Sequence, residues 1–99
     1  MTTYAGKIAV HETLGASTVD TVELAGCRPS LTVVNRTGTA EIYFTVATGA
    51  KAPTPPTVSG NDCFVLPAAI CSLSLPWLEG QFIVSLISAG AEAYSVENL

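Results

Sequence analysis

Charge is scarce in this sequence. Asp, Glu, Lys and Arg make up 12% of its 99 residues, about half the roughly 25% usual in globular domains. A chain so poor in charge has little with which to cover its outside, and charge depletion marks the cores of interfaces. The expectation is a protein packed against neighbours, with a monomer of neutral polar surface as the alternative. Basic residues are scarcest: Lys7, Arg28, Arg36 and Lys51 stand against eight carboxylates, for a net charge of −4. Phosphate neutralisation needs clustered Lys and Arg, so nucleic acid is not an expected partner.

Other shortages narrow the chemistry. The apolar runs fall well short of the roughly 20 residues that span a bilayer, so no membrane partner is expected. MTTYAGKIAV at the start shows no basic stretch followed by an apolar one, and no secretory signal is read from it. Three cysteines, Cys27, Cys63 and Cys71, with no CxxC pair and a single histidine, favour neither a disulfide framework nor a zinc site. Buried free thiols are the simple reading; a bridge between Cys63 and Cys71, which flank a short connection, is the alternative, and its geometry is demanding. His11 is the one imidazole any Ser/His/Asp or Cys/His arrangement could use, and it sits mid-strand with no local motif. No phosphate-cradling Gly loop and no calcium-binding run is present. Neither catalysis nor a cofactor nor a metal is expected.

What the chain has in quantity is strand pattern. Leu31–Val46, LTVVNRTGTAEIYFTV, reads as a β-hairpin turning at Asn35-Arg36-Thr37-Gly38, with Gly38 as a left-handed residue. Ile42, Phe44 and Val46 alternate with Glu41, Tyr43 and Thr45, the period of a half-buried strand. Asn35-Arg36-Thr37 also matches the N-glycosylation acceptor pattern, but here its role is read as turn former. Before this stretch, Lys7–Leu14 puts Ile8, Val10 and Leu14 in phase. Thr18–Leu24 puts Val22 and Leu24 on one face and Val19, Thr21 and Glu23 on the other. After it come Cys63–Leu66, Cys71–Leu75, Gln81–Ser88 and Ala91–Glu97. In Gln81–Ser88 both Phe82/Val84/Leu86 and Ile83/Ile87 want cover, which predicts a central strand; Ser88-Ala89-Gly90 then reverses the chain.

Between Val46 and Cys63 the pattern breaks. Ala47–Asp62 carries Pro53, Pro55, Pro56, Gly49 and Gly60 and cannot hold a ladder of backbone donors. Its prolines stiffen it towards extended geometry. So long an irregular connection is either a partner-binding arm or a crossover between two sheets. The whole predicts one domain over residues 1–99, all-β, an antiparallel β-sandwich or small Greek-key barrel of seven to eight short strands. Helices longer than a turn, repeats and heptads are not expected.

The succession VVNRTGTAEIYFTV, GAKAPTPPTVSGNDCFVLPAA and VSLISAGAEAYSVE resembles small β-sandwich structural proteins of tailed bacteriophages, those found as capsid decoration or minor virion proteins. The likeness runs over about residues 19–97 as an order of strands and turns, and has no catalytic motif to transfer. It implies a non-enzymatic virion protein, made in the host cytoplasm, that binds the assembled shell through the major capsid protein or other virion proteins, often as a homo-oligomer. Segment 1–6 and loop 47–62 are the expected binding parts, with Tyr4, Lys51, Pro53, Pro55, Pro56 and Trp77 as interface candidates. Tyr4 has the alternative of closing the domain's own core, and Trp77 that of capping the end of the sandwich. Two other functions stay open: a tail or head–tail joining protein with the same sandwich, and a carbohydrate-binding module using Trp77, Tyr4, Tyr43 and Tyr94 as an aromatic platform.

Overall fold

A computed structural model describes residues 2–4, 9–24, 30–48, 53–76 and 82–98. Nine strands run through them: β1 (Thr2–Tyr4), β2 (Ala9–Thr13), β3 (Asp20–Leu24), β4 (Ser30–Asn35), β5 (Ile42–Thr48), β6 (Phe64–Leu66), β7 (Cys71–Pro76), β8 (Phe82–Ser88) and β9 (Ala93–Asn98). They form a five-stranded sheet in the order β1-β3-β8-β5-β6 and a four-stranded sheet in the order β2-β9-β4-β7. The pairs β5·β6, β4·β7, β3·β8 and β2·β9 are all antiparallel. The chain is therefore one long hairpin with its tip at β5 and β6, wound across two layers. That order is a jelly roll, a β-sandwich that wraps two Greek keys around one core.

The expected all-β sandwich is the observed one, with one strand more than expected. The addition is β1, which joins β3 in parallel, Thr2 opposite Val22 and Tyr4 opposite Leu24. Three residues of segment 1–6 thus belong to the domain's own sheet rather than to a free arm. The side chain of Tyr4 lies outside the described residues, as do the whole of Cys27, Lys51 and Trp77.

Inward rows from both sheets fill the space between the layers. Val22 and Leu24 on β3, Ile42 and Phe44 on β5, and Phe82, Val84 and Leu86 on β8 face Val10 on β2, Leu31 and Val33 on β4 and Val96 on β9, all buried. Each such side chain contributes about 1.5–3 kcal/mol by leaving water, which is why period-2 rows predict strand faces well. Buried Tyr94 on β9 donates its hydroxyl proton to Asp20 Oδ2 on β3, a polar strut between the sheets. β8 is buried at every position and lies third of five in its sheet, the central place its two apolar faces predict.

Leu31–Val46 is not a hairpin. β4 pairs with β7 and β9, whereas β5 pairs with β6 and β8, so residues 36–41 arch from one layer to the other. Alternation specifies which side chains point inward, and it is silent on which strand lies alongside. Here Leu31 and Val33 meet Ile42 and Phe44 across the core instead of side by side. After β4 the chain stays tied to β9, through Arg36 N–H to Ala93 O at 2.9 Å and Ala93 N–H to Thr37 Oγ1 at 2.8 Å. Those bonds carry it past the point where a hairpin would fold back. Residues 88–92 behave in the same way, since β8 and β9 also belong to different sheets.

The corner of the arch is built on Asn35. Its fully buried side chain donates from Nδ2 to Ala40 O at 3.0 Å and Pro67 O at 3.1 Å, and accepts Gly38 N–H on Oδ1 at 3.0 Å. The nitrogen a glycan would need is committed and buried, so in the folded protein the acceptor pattern serves the turn. Gly38 takes φ +78°, the left-handed geometry expected of it.

Two further left-handed positions among the described residues, Ser17 and Ser59, fall on residues that are not glycine. Ser17, in the β2–β3 turn, has φ 54°, and its N–H donates to Ser88 O at 2.7 Å. A non-glycine residue there carries strain of roughly 1–2 kcal/mol, offset in part for glycine by its freer unfolded chain. Ser17→Gly is expected to raise stability by about 0.5–1 kcal/mol, read as a higher urea midpoint with unchanged slope.

Candidate interaction surface

The Pro-rich connection starts later than its sequence suggests, because Ala47 and Thr48 continue β5, where they pair with Ile83 and Phe82. It is no crossover either, since it joins β5 to β6, neighbours in one sheet. From residue 53 the loop folds back on the outer face of that sheet. Thr45 Oγ1 donates to Thr54 O at 2.8 Å, and the loop tip, Val58 and Ser59, shares a cleft of ≈ 310 Å³ with Glu41, Tyr43 and Ala89. This accounts for Tyr43, an outward position in the sequence pattern, being only 8% exposed; its hydroxyl donates to Glu41 Oε1 at 3.0 Å.

Of the proline candidates, Pro55 is exposed, Pro53 half-buried and Pro56 buried. Pro55 is thus the one that fully faces outward, while Pro56 serves the loop's own packing. Pro55 and Pro56 line a second cleft of ≈ 390 Å³ with Thr57, Gly60, Asn61 and Asp62. That cleft is a fold of the loop on itself, with mixed apolar and polar walls and one carboxylate. The structure does not bring the six interface candidates into one described site, because the side chains of Tyr4, Lys51 and Trp77 fall outside the described residues.

The described His and Cys side chains each have a hydrogen-bond contact within the domain. His11 is exposed, with Nδ1 2.6 Å from Ser95 Oγ on the neighbouring strand. Cys63 and Cys71 are free, half-buried thiols that are not bridged to each other. Glu92 is buried, which sequence inspection misses because its position in a turn looks solvated. Thr39 donates to it twice, from Oγ1 to Oε1 at 2.5 Å and from N–H to Oε2 at 3.3 Å, so the carboxylate clamps the β4–β5 arch to the β8–β9 connection. Among the described residues no group of three or more His, Cys, Asp and Glu is placed to hold a metal ion. No described helix is long and apolar enough to cross a membrane.

The lateral side formed by β6 and β7 differs from the rest. β6 ends the five-stranded sheet, β7 ends the four-stranded one, and the two strands meet across the layers. Ile70 is 75% exposed, Phe64 46% and Val65 44%. Phe64 stacks on core Phe44 with ring centroids 5.4 Å apart, so this edge opens directly onto the core. Cys71, Leu73 and Leu75 point inward yet are only half-buried. From Cys63 to Leu78 the sequence has no charged residue. That uninterrupted neutral tract was the legible sign of this surface, and reading strand by strand passes over it. The opposite side carries His11 and Glu12 exposed on β2, and β1 closes β3.

No family model, no curated protein and no solved structure matches this chain. The fold and the surface define its class: a jelly-roll domain with a filled interior, whose distinctive features are an internally packed Pro-rich loop and one neutral, apolar lateral edge.

Proposed function

We propose that this protein is a non-enzymatic structural component of a tailed-phage virion, a capsid decoration or minor capsid protein that binds the assembled shell and acts by surface contact. The carrying observation is where the side chains go. Apolar residues of both sheets occupy the space between the layers, and the described clefts lie outside that space, one within residues 54–63 and one between the loop tip and the outer face of β5. A domain of this kind offers partners its edges and ends rather than an interior pocket. Sparse charge on the sequence as a whole supports the same reading, as does a topology found in capsid proteins among other classes. Binding to a shell gains strength from many repeated weak contacts.

The described aromatics favour this reading over a carbohydrate platform. Tyr43 and Tyr94 are buried with their hydroxyls bonded to Glu41 and Asp20, leaving Phe64 as the exposed ring. The test is co-sedimentation of the purified chain with phage heads that lack it. Saturable binding to heads, absent for isolated tails, is the expected result. Binding to tails or necks alone transfers the protein to the joining class, and binding to glycans without binding to particles replaces the proposal.

A further inference from the structure

We propose that β7 is the self-association edge of this protein, where a second copy adds its own β7 in antiparallel register and merges two four-stranded sheets into one. The inference stands apart from shell binding, and either can fail without the other.

β7 runs six residues, Cys71–Pro76, and pairs along its length with β4. It ends its sheet, and among the described residues no strand pairs with its outer side. A bare edge presents alternating N–H and C=O groups that only another extended chain satisfies in series. Folded monomers usually guard such edges with Lys, internal proline, bulges or inward charges. Between Cys71 and Leu75 there is none of these: the outward residues are Ser72 and Ser74, and the inward ones are Cys71, Leu73 and Leu75.

Charge selects the occupant. Two copies of a chain carrying −4 repel wherever carboxylates face each other. Residues 63–76, which build β6, β7 and their connection, carry no charge, so two copies can meet here without that penalty. A strongly acidic or basic partner finds nothing to pair with. The strand is also self-complementary. With a two-fold axis at Leu73, Ser72 lies opposite Ser74 of the second copy, Leu73 opposite Leu73, and Cys71 opposite Leu75. The hydroxyl pairing has a precedent inside the sheet, where Thr32 Oγ1 and Ser74 Oγ, on paired residues of β4 and β7, are 2.9 Å apart. The inward row explains the gain: Cys71, Leu73 and Leu75 are only half-buried at a position where no described strand lies beyond β7, and a second β7 covers them together with neighbouring Phe64 and Ile70.

Sedimentation equilibrium of the full chain under reducing conditions is the test, with two double variants at the same exposed positions. The wild type is expected to form a reversible dimer of twice the 10.2 kDa chain, with a Kd below about 1 mM. Ser72→Lys/Ser74→Lys places lysine opposite lysine twice, and is expected to weaken the dimer on the order of tenfold or more. Ser72→Lys/Ser74→Glu places opposite charges together in this register and is expected to keep the dimer. Amide hydrogen exchange of the wild type supplies a readout that needs no variant: protection within 71–75 falls on dilution. A monomer throughout the concentration range overturns the proposal. So does an oligomer of any size indifferent to Ser72→Lys/Ser74→Lys, or equal disruption by both variants.

Discussion

Gly38→Ala is expected to lower stability by about 3 kcal/mol or more. Two effects add at this position. A Cβ on Gly38 would lie 2.6 Å from Ile70 N and 2.8 Å from Ala69 C, backbone atoms of the β6–β7 connection that cannot swing aside as a side-chain tip can. The left-handed φ of +78° adds roughly 1–2 kcal/mol for any residue with a Cβ, and forced displacement in packed structure adds about 1–3 kcal/mol. For a domain of this size the sum is a fall in melting temperature on the order of 15 °C. Gly15→Ala is the control, because its Cβ would meet nothing nearer than Thr18 Cβ at 3.4 Å; its melting temperature should stay close to that of the wild type. Equal effects at the two positions would mean that the arch does not pass against residues 69–70.

Asn35→Ala is expected to cost about 3 kcal/mol, by a different mechanism. The substitution leaves Ala40 O, Pro67 O and Gly38 N–H without their partner in a corner where Asn35 is fully buried, and each buried unsatisfied group costs roughly 1–3 kcal/mol. Asn35→Asp separates the donor role from the acceptor role. A carboxylate still accepts from Gly38 N–H but faces two carbonyl oxygens with nothing to donate, which favours its protonated form and raises its folded-state pKa. The sign follows from linkage: the stability of this variant relative to wild type should be best below the unfolded carboxyl pKa and lost as pH rises through the raised folded value. Chemical denaturation of wild type, Asn35→Ala and Asn35→Asp at acidic and neutral pH checks both statements. A flat difference between Asn35→Asp and wild type across pH would show that the side chain is not donating to those carbonyls.

Both substitutions fall in Leu31–Val46, the stretch whose local pattern is clearest and whose partners are least apparent from it. Ile42 and Phe44 were legible as inward residues because burial writes a period of two into a strand. That β4 and β5 belong to opposite layers is not written there, since it depends on β7, β8 and β9 arriving later in the chain to take the neighbouring places. The same holds for Glu92, whose burial depends on Thr39 arching over it, and for Tyr43, covered by a loop whose tip, Val58 and Ser59, lies about fifteen residues further on. The Pro-rich loop was visible as a break in the strands, but its return to its own sheet depends on Thr45 finding Thr54 O. On the β6–β7 side the signal was an uncharged run of sequence, and its meaning as an edge needed the strand order.

This surface and the proposed functions depend on the winding of the chain, so the most direct measurement is the pattern of cross-strand backbone contacts in solution. In a nuclear Overhauser spectrum of the isotope-labelled protein, β4 should show contacts to β9 and β7, such as Thr32 with Glu97 and with Ser74, and β5 to β8 and β6, such as Phe44 with Leu86 and with Phe64. A ladder of backbone contacts joining β4 directly to β5 around residues 35–38 would contradict the jelly roll, and with it the bare edge at β7.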